Sequence, residues 1–283
     1  MEIKKVGVVG MTGFMGSGIT QACAQFGYQV VGSSRSEERL NKTLASINSR
    51  LTKSVDKGKL SQQDKESTLA RIRGTTNTQD FGDCDLMIEV AIENLDVKKN
   101  IFAELDKVCP KHTILASNTS CLPVIELAMV TSRPDKVLGL HFLIPVPTSK
   151  LLEIVKTLTT SGETLEAGKE FAESLGKTVI VAKDTPGFIF NRQLIPWVLN
   201  AIRMLEAGIG TREDIDNSMK LGLDYPIGPL ALLDVMGIDT VLFVASAMYN
   251  QLKEPQYTPP TLMKKMVTAG WLGRKTGKGF YEY

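Results

Sequence analysis

Apolar positions in the first half of the chain alternate between two periods. Residues 3–10 (Ile-Lys-Lys-Val-Gly-Val-Val-Gly) and 28–31 (Tyr-Gln-Val-Val) are apolar runs of strand length, and between them Gly16 to Phe26 repeats its apolar residues at helical spacing. A strand, a glycine-rich turn, a helix and a second strand in about thirty residues make a βαβ unit, with parallel strands and a right-handed crossover. The alternation continues. Residues 36–59 and 61–73 predict polar-faced helices, Leu86 to Val90 a strand, residues 97–108 a helix and residues 113–116 a strand. Val137 to His141, Leu151 to Val155 and Thr178 to Ala182 add strands, with a helix over residues 162–175 between the last two. The expected fold class is α/β, a Rossmann-like doubly wound, mainly parallel sheet.

After Asp184 the strand signal stops. Helices are predicted near residues 187–206, 212–221, 228–250 and 259–269, with breaks at Gly222, Tyr225-Pro226 and Glu254-Pro255. A boundary near residue 184 therefore divides the chain into a dinucleotide-binding domain over residues 1–184 and an all-helical domain for substrate and dimerisation over residues 185–283. The Met-, Leu- and Ile-rich helices of the second part would bury one another and a twofold-related copy, so a homodimer is expected. No internal repeat or low-complexity tract is visible.

Composition narrows the partners. The 283 residues are 43% apolar, enough for a sizeable core, and 33 basic against 31 acidic residues leave a net charge of +2 with no basic tail or stripe. Nucleic acid and membrane partners are not expected. Met1 leads into an apolar strand at Val6 without a charged-then-hydrophobic leader, and no apolar stretch is long enough to span a bilayer, which predicts a cytoplasmic protein. Cys23, Cys84, Cys109 and Cys121 lack metal-ligand spacing. Reduced structural thiols and no metal are expected.

Two polar residues stand out because they interrupt apolar strands. His141, one of two histidines, closes the run Val-Leu-Gly-Leu-His, and Glu153 sits inside Leu-Leu-Glu-Ile-Val. Each would cost several kcal/mol at a buried strand position unless satisfied, and pairing the two is the economical solution. A carboxylate so placed fixes the tautomer of the ring and steadies the imidazolium, which suits a general acid/base. These two residues alone leave a second reading open, a satisfied core histidine and a surface glutamate that never meet.

The turn Gly10-Met-Thr-Gly13-Phe-Met-Gly16 lies where a strand meets a helix. Gly10 would allow the tight turn, Gly13 the approach of a pyrophosphate, and Gly16 close packing of helix on strand. The spacing is GxxGxxG rather than GxGxxG, so the loop must absorb one extra residue. At the end of the second strand the chain reads Val31-Gly-Ser33-Ser34-Arg35-Ser36, with no acid before Glu37. An acid there would accept the ribose hydroxyls of NAD, whereas Ser33, Ser34 and Arg35 offer donors to a 2′-phosphate, so NADP(H) is expected in preference to NAD(H).

The glycine loop, Ile88-Glu-Val-Ala-Ile-Glu-Asn94, Ala116-Ser-Asn-Thr-Ser120, His141-Phe-Leu-Ile-Pro-Val-Pro147, Glu153, Asp184-Thr-Pro-Gly-Phe-Ile-Phe-Asn-Arg192 and Gly273-Arg-Lys-Thr-Gly-Lys-Gly-Phe-Tyr281 together resemble the L-3-hydroxyacyl-CoA dehydrogenase family. The likeness spans essentially the whole chain, keeps motif order, and looks closest to the short bacterial 3-hydroxybutyryl-CoA branch. It implies a catalytic His141 oriented by Glu153, with Ser120 and Asn191 holding the reacting oxygen and neighbouring substrate groups. It further implies a cofactor site at Gly10, Gly13, Phe14, Met15, Gly16, Glu93, Lys98, Asn118 and Lys275, together with Ser33, Ser34 and Arg35 if the cofactor is NADP(H). The substrate implied is an acyl-CoA, acetoacetyl-CoA or 3-hydroxybutyryl-CoA, whose coenzyme A phosphates Lys53 and Lys57 would meet. One departure concerns Ile144, which stands where the family usually has Asn. Two other activities fit the same pattern: a dehydrogenase of a free hydroxyacid or sugar acid, and a nucleotide-binding protein without catalysis.

Overall fold

A computed structural model describes residues 2–283, and the chain divides into two compact units, residues 1–184 and 185–283. The first begins with β1 (Lys5–Val9), α1 (Phe14–Gln25), β2 (Gln29–Ser33), α2 (Glu37–Asp56), α3 (Gln62–Ala70), β3 (Ile72–Thr75) and β4 (Leu86–Glu89). It continues with α4 (Leu95–Val108), β5 (Ile114–Ser117), α5 (Val124–Ala128), β6 (Val137–Phe142), β7 (Leu151–Lys156), α6 (Gly162–Ser174) and β8 (Thr178–Lys183). Helix starts follow local chemistry. Ser36, Ser61, Asn94 and Ser161 each accept a backbone N–H of the first turn of the helix that follows.

The eight strands form one sheet in the order β3-β2-β1-β4-β5-β6-β7-β8. Neighbours are parallel from β3 to β6, β7 runs antiparallel to β6, and β8 runs parallel to β7. This is the doubly wound α/β fold expected from the alternating pattern, with the last two strands reversed. The central strands are buried on both faces, as the consecutive residues Leu86, Met87 and Ile88 of β4 and Ile114, Leu115 and Ala116 of β5 show.

The second unit is helical: α7 (Phe190–Glu206), α8 (Arg212–Gly222), α9 (Pro229–Met236), α10 (Ile238–Leu252) and α11 (Thr261–Thr268). Two buried carboxylates organise it. Asp216 accepts the N–H groups of Leu230 and Ala231 at 2.7 and 3.0 Å at the start of α9. Asp234 accepts those of Phe280 and Tyr281, both at 2.9 Å, and so holds the C-terminal tail against α9. The tail can approach because Gly279 has no side chain, a Cβ there lying 1.9 Å from Asp234 Oδ1.

The differences from the sequence pattern have local causes. Ile72–Thr75 is a strand on the edge of the sheet where a helix over 61–73 was predicted, since Gly74 packs against Leu40 and the segment pairs with β2. The single helix predicted over 228–250 is two, bent by 97° at Gly237, whose φ is +93°. Helix α7 begins at Phe190 rather than 187 because Phe188 takes a φ of +50°. The short α5 has too few residues to leave a periodic signal. Among the described residues no single helix is long and apolar enough to cross a membrane.

All four cysteines are buried and none is in a disulfide. Burial pushes the thiols of Cys23, Cys84 and Cys121 up to about 12 and that of Cys109 to about 11. Native protein should therefore show no fast-reacting thiol towards Ellman's reagent at pH 8, with all four titrating only after unfolding; rapid reaction of any one would contradict this burial.

Candidate active site

His141 is the fifth residue of β6 and Glu153 the third of β7, and the antiparallel register sets them directly opposite one another. Their side chains share a face of the sheet, and His141 Nδ1–H donates to Glu153 Oε2 at 2.8 Å. The glutamate is fully buried and the imidazole 4% exposed. With Nδ1 occupied, Nε2 is the ring atom through which a proton can be exchanged. His141 also lies at the C-terminal end of its strand, the edge where open α/β sheets bind ligands. The two readings that the sequence left open are thus decided by register: the residues meet.

Beside the pair, the ends of β4 and β5 carry a second polar cluster. Asn118 follows β5, its Oδ1 accepting the N–H of Phe142 at 2.9 Å and its own N–H donating to Glu89 O at 2.9 Å. Glu89, fully buried, accepts from Lys98 Nζ at 2.7 and 3.0 Å, from Ser117 Oγ at 2.6 Å and from Ala91 N at 2.6 Å. Glu93 lies 3.2 Å from the same ammonium, accepts Ser120 N at 2.9 Å and takes a hydrogen bond from the Thr119 hydroxyl. The backbone of Ser120 is thereby fixed. Asp184 completes the support by accepting the N–H groups of Val124 and Ile125 at 3.0 and 2.6 Å, which caps α5 just beyond that loop. Burial raises the Asp184 carboxyl above its ordinary range against the lowering effect of those two hydrogen bonds.

The glycine loop is built for close approach. Gly10 has a φ of +87°, Gly13 N donates to Gly10 O at 3.1 Å, and no side chain caps the first turn of α1. A Cβ on Gly16 would lie 2.2 Å from Gly10 O. The extra residue is absorbed inward: Met11 is fully buried and occupies the space above Gly32 of β2, while Thr12 Oγ1 reaches to 3.4 Å from Ser34 Oγ. Phe14 is exposed and Met15 half-buried at the mouth of the loop. Ser33 closes β2, and Arg35 behind it is exposed with no ion pair among the described residues. An uncapped helix start, a cradle that only glycine permits and a β2 end rich in donors fit the pyrophosphate and adenosine end of a nicotinamide dinucleotide.

The structure distributes the remaining sequence candidates unevenly. Lys98 is 1% exposed with its ammonium held by carboxylates, Glu93 is partly buried, and Lys53 and Lys57 are exposed on and just after α2, with no ion pair among the described residues. Ile144 is 55% exposed after β6. In the second unit, Asn191 is buried in the first turn of α7, and Lys275 pairs with Asp239 at 2.6 Å. Glu89, Ser117 and Asp184 were not singled out by the sequence. Glu89 carried the same signal as Glu153, a lone carboxylate in an apolar strand.

Fold and site together define a dehydrogenase that uses a nicotinamide dinucleotide. Residues 5–185 match the family model described as 3-hydroxyacyl-CoA dehydrogenase, NAD binding domain, and residues 187–283 that of the family's C-terminal domain. The chain belongs to the 3-hydroxyacyl-CoA dehydrogenase family, and it is an NAD(P)-dependent oxidoreductase acting on CH–OH groups. It is 43% identical over 279 residues to the 3-hydroxybutyryl-CoA dehydrogenase of Clostridioides difficile, covering 99% of both chains. It is 42% identical to the human mitochondrial hydroxyacyl-coenzyme A dehydrogenase, covering 99% of this chain and 91% of that one. The crystal structure of (S)-3-hydroxybutyryl-CoA dehydrogenase PaaH1 from Ralstonia eutropha superposes with a TM-score of 0.94 at 44% identity, covering 100% of this chain and 99% of that one.

Gly16→Ala tests the cradle. Its methyl would meet a backbone oxygen that cannot rotate away, so we expect a destabilisation of about 1–3 kcal/mol and nucleotide affinity at least roughly tenfold weaker by isothermal titration. Unchanged affinity would remove the loop from the cofactor site.

Proposed function

We propose that the chain is a 3-hydroxybutyryl-CoA dehydrogenase that interconverts acetoacetyl-CoA and (S)-3-hydroxybutyryl-CoA and prefers NADP(H) to NAD(H). The observation that carries this reading is the buried His141–Glu153 pair at 2.8 Å on the ligand-binding edge of the sheet. The names and identities of the relatives support the substrate.

Each residue then has a task. Gly10, Gly13, Phe14, Met15 and Gly16 hold the pyrophosphate on the start of α1, and Asn118, Glu93 and Lys98 shape the opposite wall. Lys275 is assigned to the cofactor as well, by the family resemblance. The nicotinamide, when bound, supplies the hydride donor or acceptor at C3 of the substrate. In reduction His141 gives the proton on Nε2 to the oxygen that becomes the hydroxyl; in oxidation it removes that proton. Glu153 keeps the ring in the tautomer that leaves Nε2 directed to this task and stabilises the positive ring. Ser120 and Asn191 are assigned as neutral donors to the substrate oxygen, able to polarise a carbonyl without competing for the transferred proton. Lys53 and Lys57 are assigned to the coenzyme A phosphates, for which their exposure on and just after α2 leaves them available.

The cofactor preference rests on β2. A 2′-phosphate would meet Ser33, Ser34 and Arg35 where NAD-specific sites place an acid, and among the described residues Arg35 has no competing carboxylate. We further assign a homodimer, supported by apolar side chains that the second unit leaves exposed, among them Leu221 at 80%, Leu223 at 60% and Phe243 at 46%. A cytoplasmic location is supported by four cysteines without a disulfide.

Following NADPH and NADH absorbance with acetoacetyl-CoA tests substrate and cofactor at once. NADPH should give the higher kcat/KM, and Arg35→Ala should cut that value about 10- to 100-fold for NADPH with little effect on NADH, the worth of a charge-assisted hydrogen bond. Equal or better turnover with NADH would overturn the preference. His141→Ala should lower kcat roughly 10²- to 10⁴-fold with nucleotide affinity retained; near-normal turnover would remove His141 from the chemistry.

A further inference from the structure

Lys177 is a buried cation that the mechanism above does not use. It is 6% exposed and no carboxylate pairs with it among the described residues; its Nζ donates to the backbone oxygens of Val146 and Ser149, each at 2.6 Å. Burial lowers its pKa, offset in part by Cys23 nearby. A buried ammonium without a counter-ion is expensive, and an apolar side chain of similar length would fill the same space at less cost. What the charge holds therefore matters.

Both acceptors belong to one segment, the connector 143–150 between β6 and β7. Its internal turn is made by the N–H groups of Thr148 and Ser149, which both donate to Pro145 O at 3.1 and 2.8 Å. Lys177 is placed by the end of α6. Gly176 takes a φ of +67°, its N–H donates to Glu173 O at 2.8 Å and that of Lys177 to Ala172 O at 3.2 Å, the Schellman closure of a helix. The next residue, Thr178, donates to Lys150 O at 2.6 Å and ties the connector's end to β8. On its other side the connector presents Val146, 3% exposed, to Gly18 of α1, where a Cβ would come within 3.0 Å of the valine. One short segment thus touches the helix that opens at the glycine loop and joins the strands carrying His141 and Glu153.

We propose that Lys177 is a positioning residue: through the two carbonyls it fixes the connector, and with it Ile144 and the end of β6, relative to the nucleotide loop. The proposal rests on the function assigned above, and Lys177 itself touches neither substrate nor cofactor. A fixed connector keeps the proton donor and the hydride site in one geometry, and displacements near 1 Å there can cost up to about 10² in rate.

The test compares the full-length protein with Lys177→Met by hydrogen–deuterium exchange and by steady-state kinetics with acetoacetyl-CoA and NADPH. We expect exchange of the Thr148 and Ser149 amides to speed up at least roughly tenfold while β1 and β4 stay protected. We also expect kcat to fall about tenfold, with the KM for the acyl-CoA within about twofold. Unchanged exchange in the connector, or unchanged kcat in a folded variant, overturns the proposal; so does faster exchange spread evenly over residues 1–184. Should the methionine variant fail to fold, Lys177→Gln, which keeps an uncharged donor on a side chain one bond shorter, should show a smaller loss confined to the connector, and wild-type behaviour in it would count against the clamp. Exchange is read without substrate. A wild-type protein inactive on acetoacetyl-CoA would therefore refute the assigned function, while the connector amides still decide the clamp.

Discussion

A carboxylate cut off from water must find donors, and Glu153 finds its donor in His141 across one rung of an antiparallel ladder. The C-terminal edge of the sheet is arranged around that requirement. An unpaired carboxylate at this depth would be unsustainable, and the ring would have no fixed orientation. The pairing depends in turn on the reversal of direction between β6 and β7, because only an antiparallel neighbour can follow so short a connector. Chemistry and topology are one constraint here.

The same solution recurs along the edge. Glu89 has no solvent exposure and gathers Lys98, Ser117 and Ala91; Asp184 gathers two amides of α5. Each of these acids ties together segments that are distant in sequence, and the loop bearing Ser120 is held from two sides by Glu93 and by the cap on α5. These groups support the residues assigned to the substrate without having to meet it. In the second unit Asp216 and Asp234 do for α9 and the C-terminal tail what Glu89 does for β4 and β5.

Much of this was legible in the sequence because it rests on short-range rules. Alternating periods marked the βαβ unit, and the strand-glycine-helix junction marked the nucleotide loop. Apolar strands broken by His141 and Glu153 marked the pair, although the residues could not say that they met, since register is a long-range property. Other features left weaker traces. Ile72–Thr75 holds too few apolar residues to be distinguished from the end of a helix and is a strand only because β2 lies beside it. Gly237 marks a bend only when the path of α9 and α10 is known. The inward path of Met11 depends on the empty side of Gly32, twenty-one residues away, and Lys177 gives no pattern at all, its carbonyl partners being backbone atoms.

The reversal between β6 and β7 also limits how this region can change in length. Side chains on a strand alternate faces, so adding or removing one residue between Val137 and His141, or between Leu151 and Glu153, would turn imidazole and carboxylate to opposite sides of the sheet. Natural insertions and deletions should accordingly collect outside these two strands, and engineered loops grafted between them must return the second strand in phase with the first.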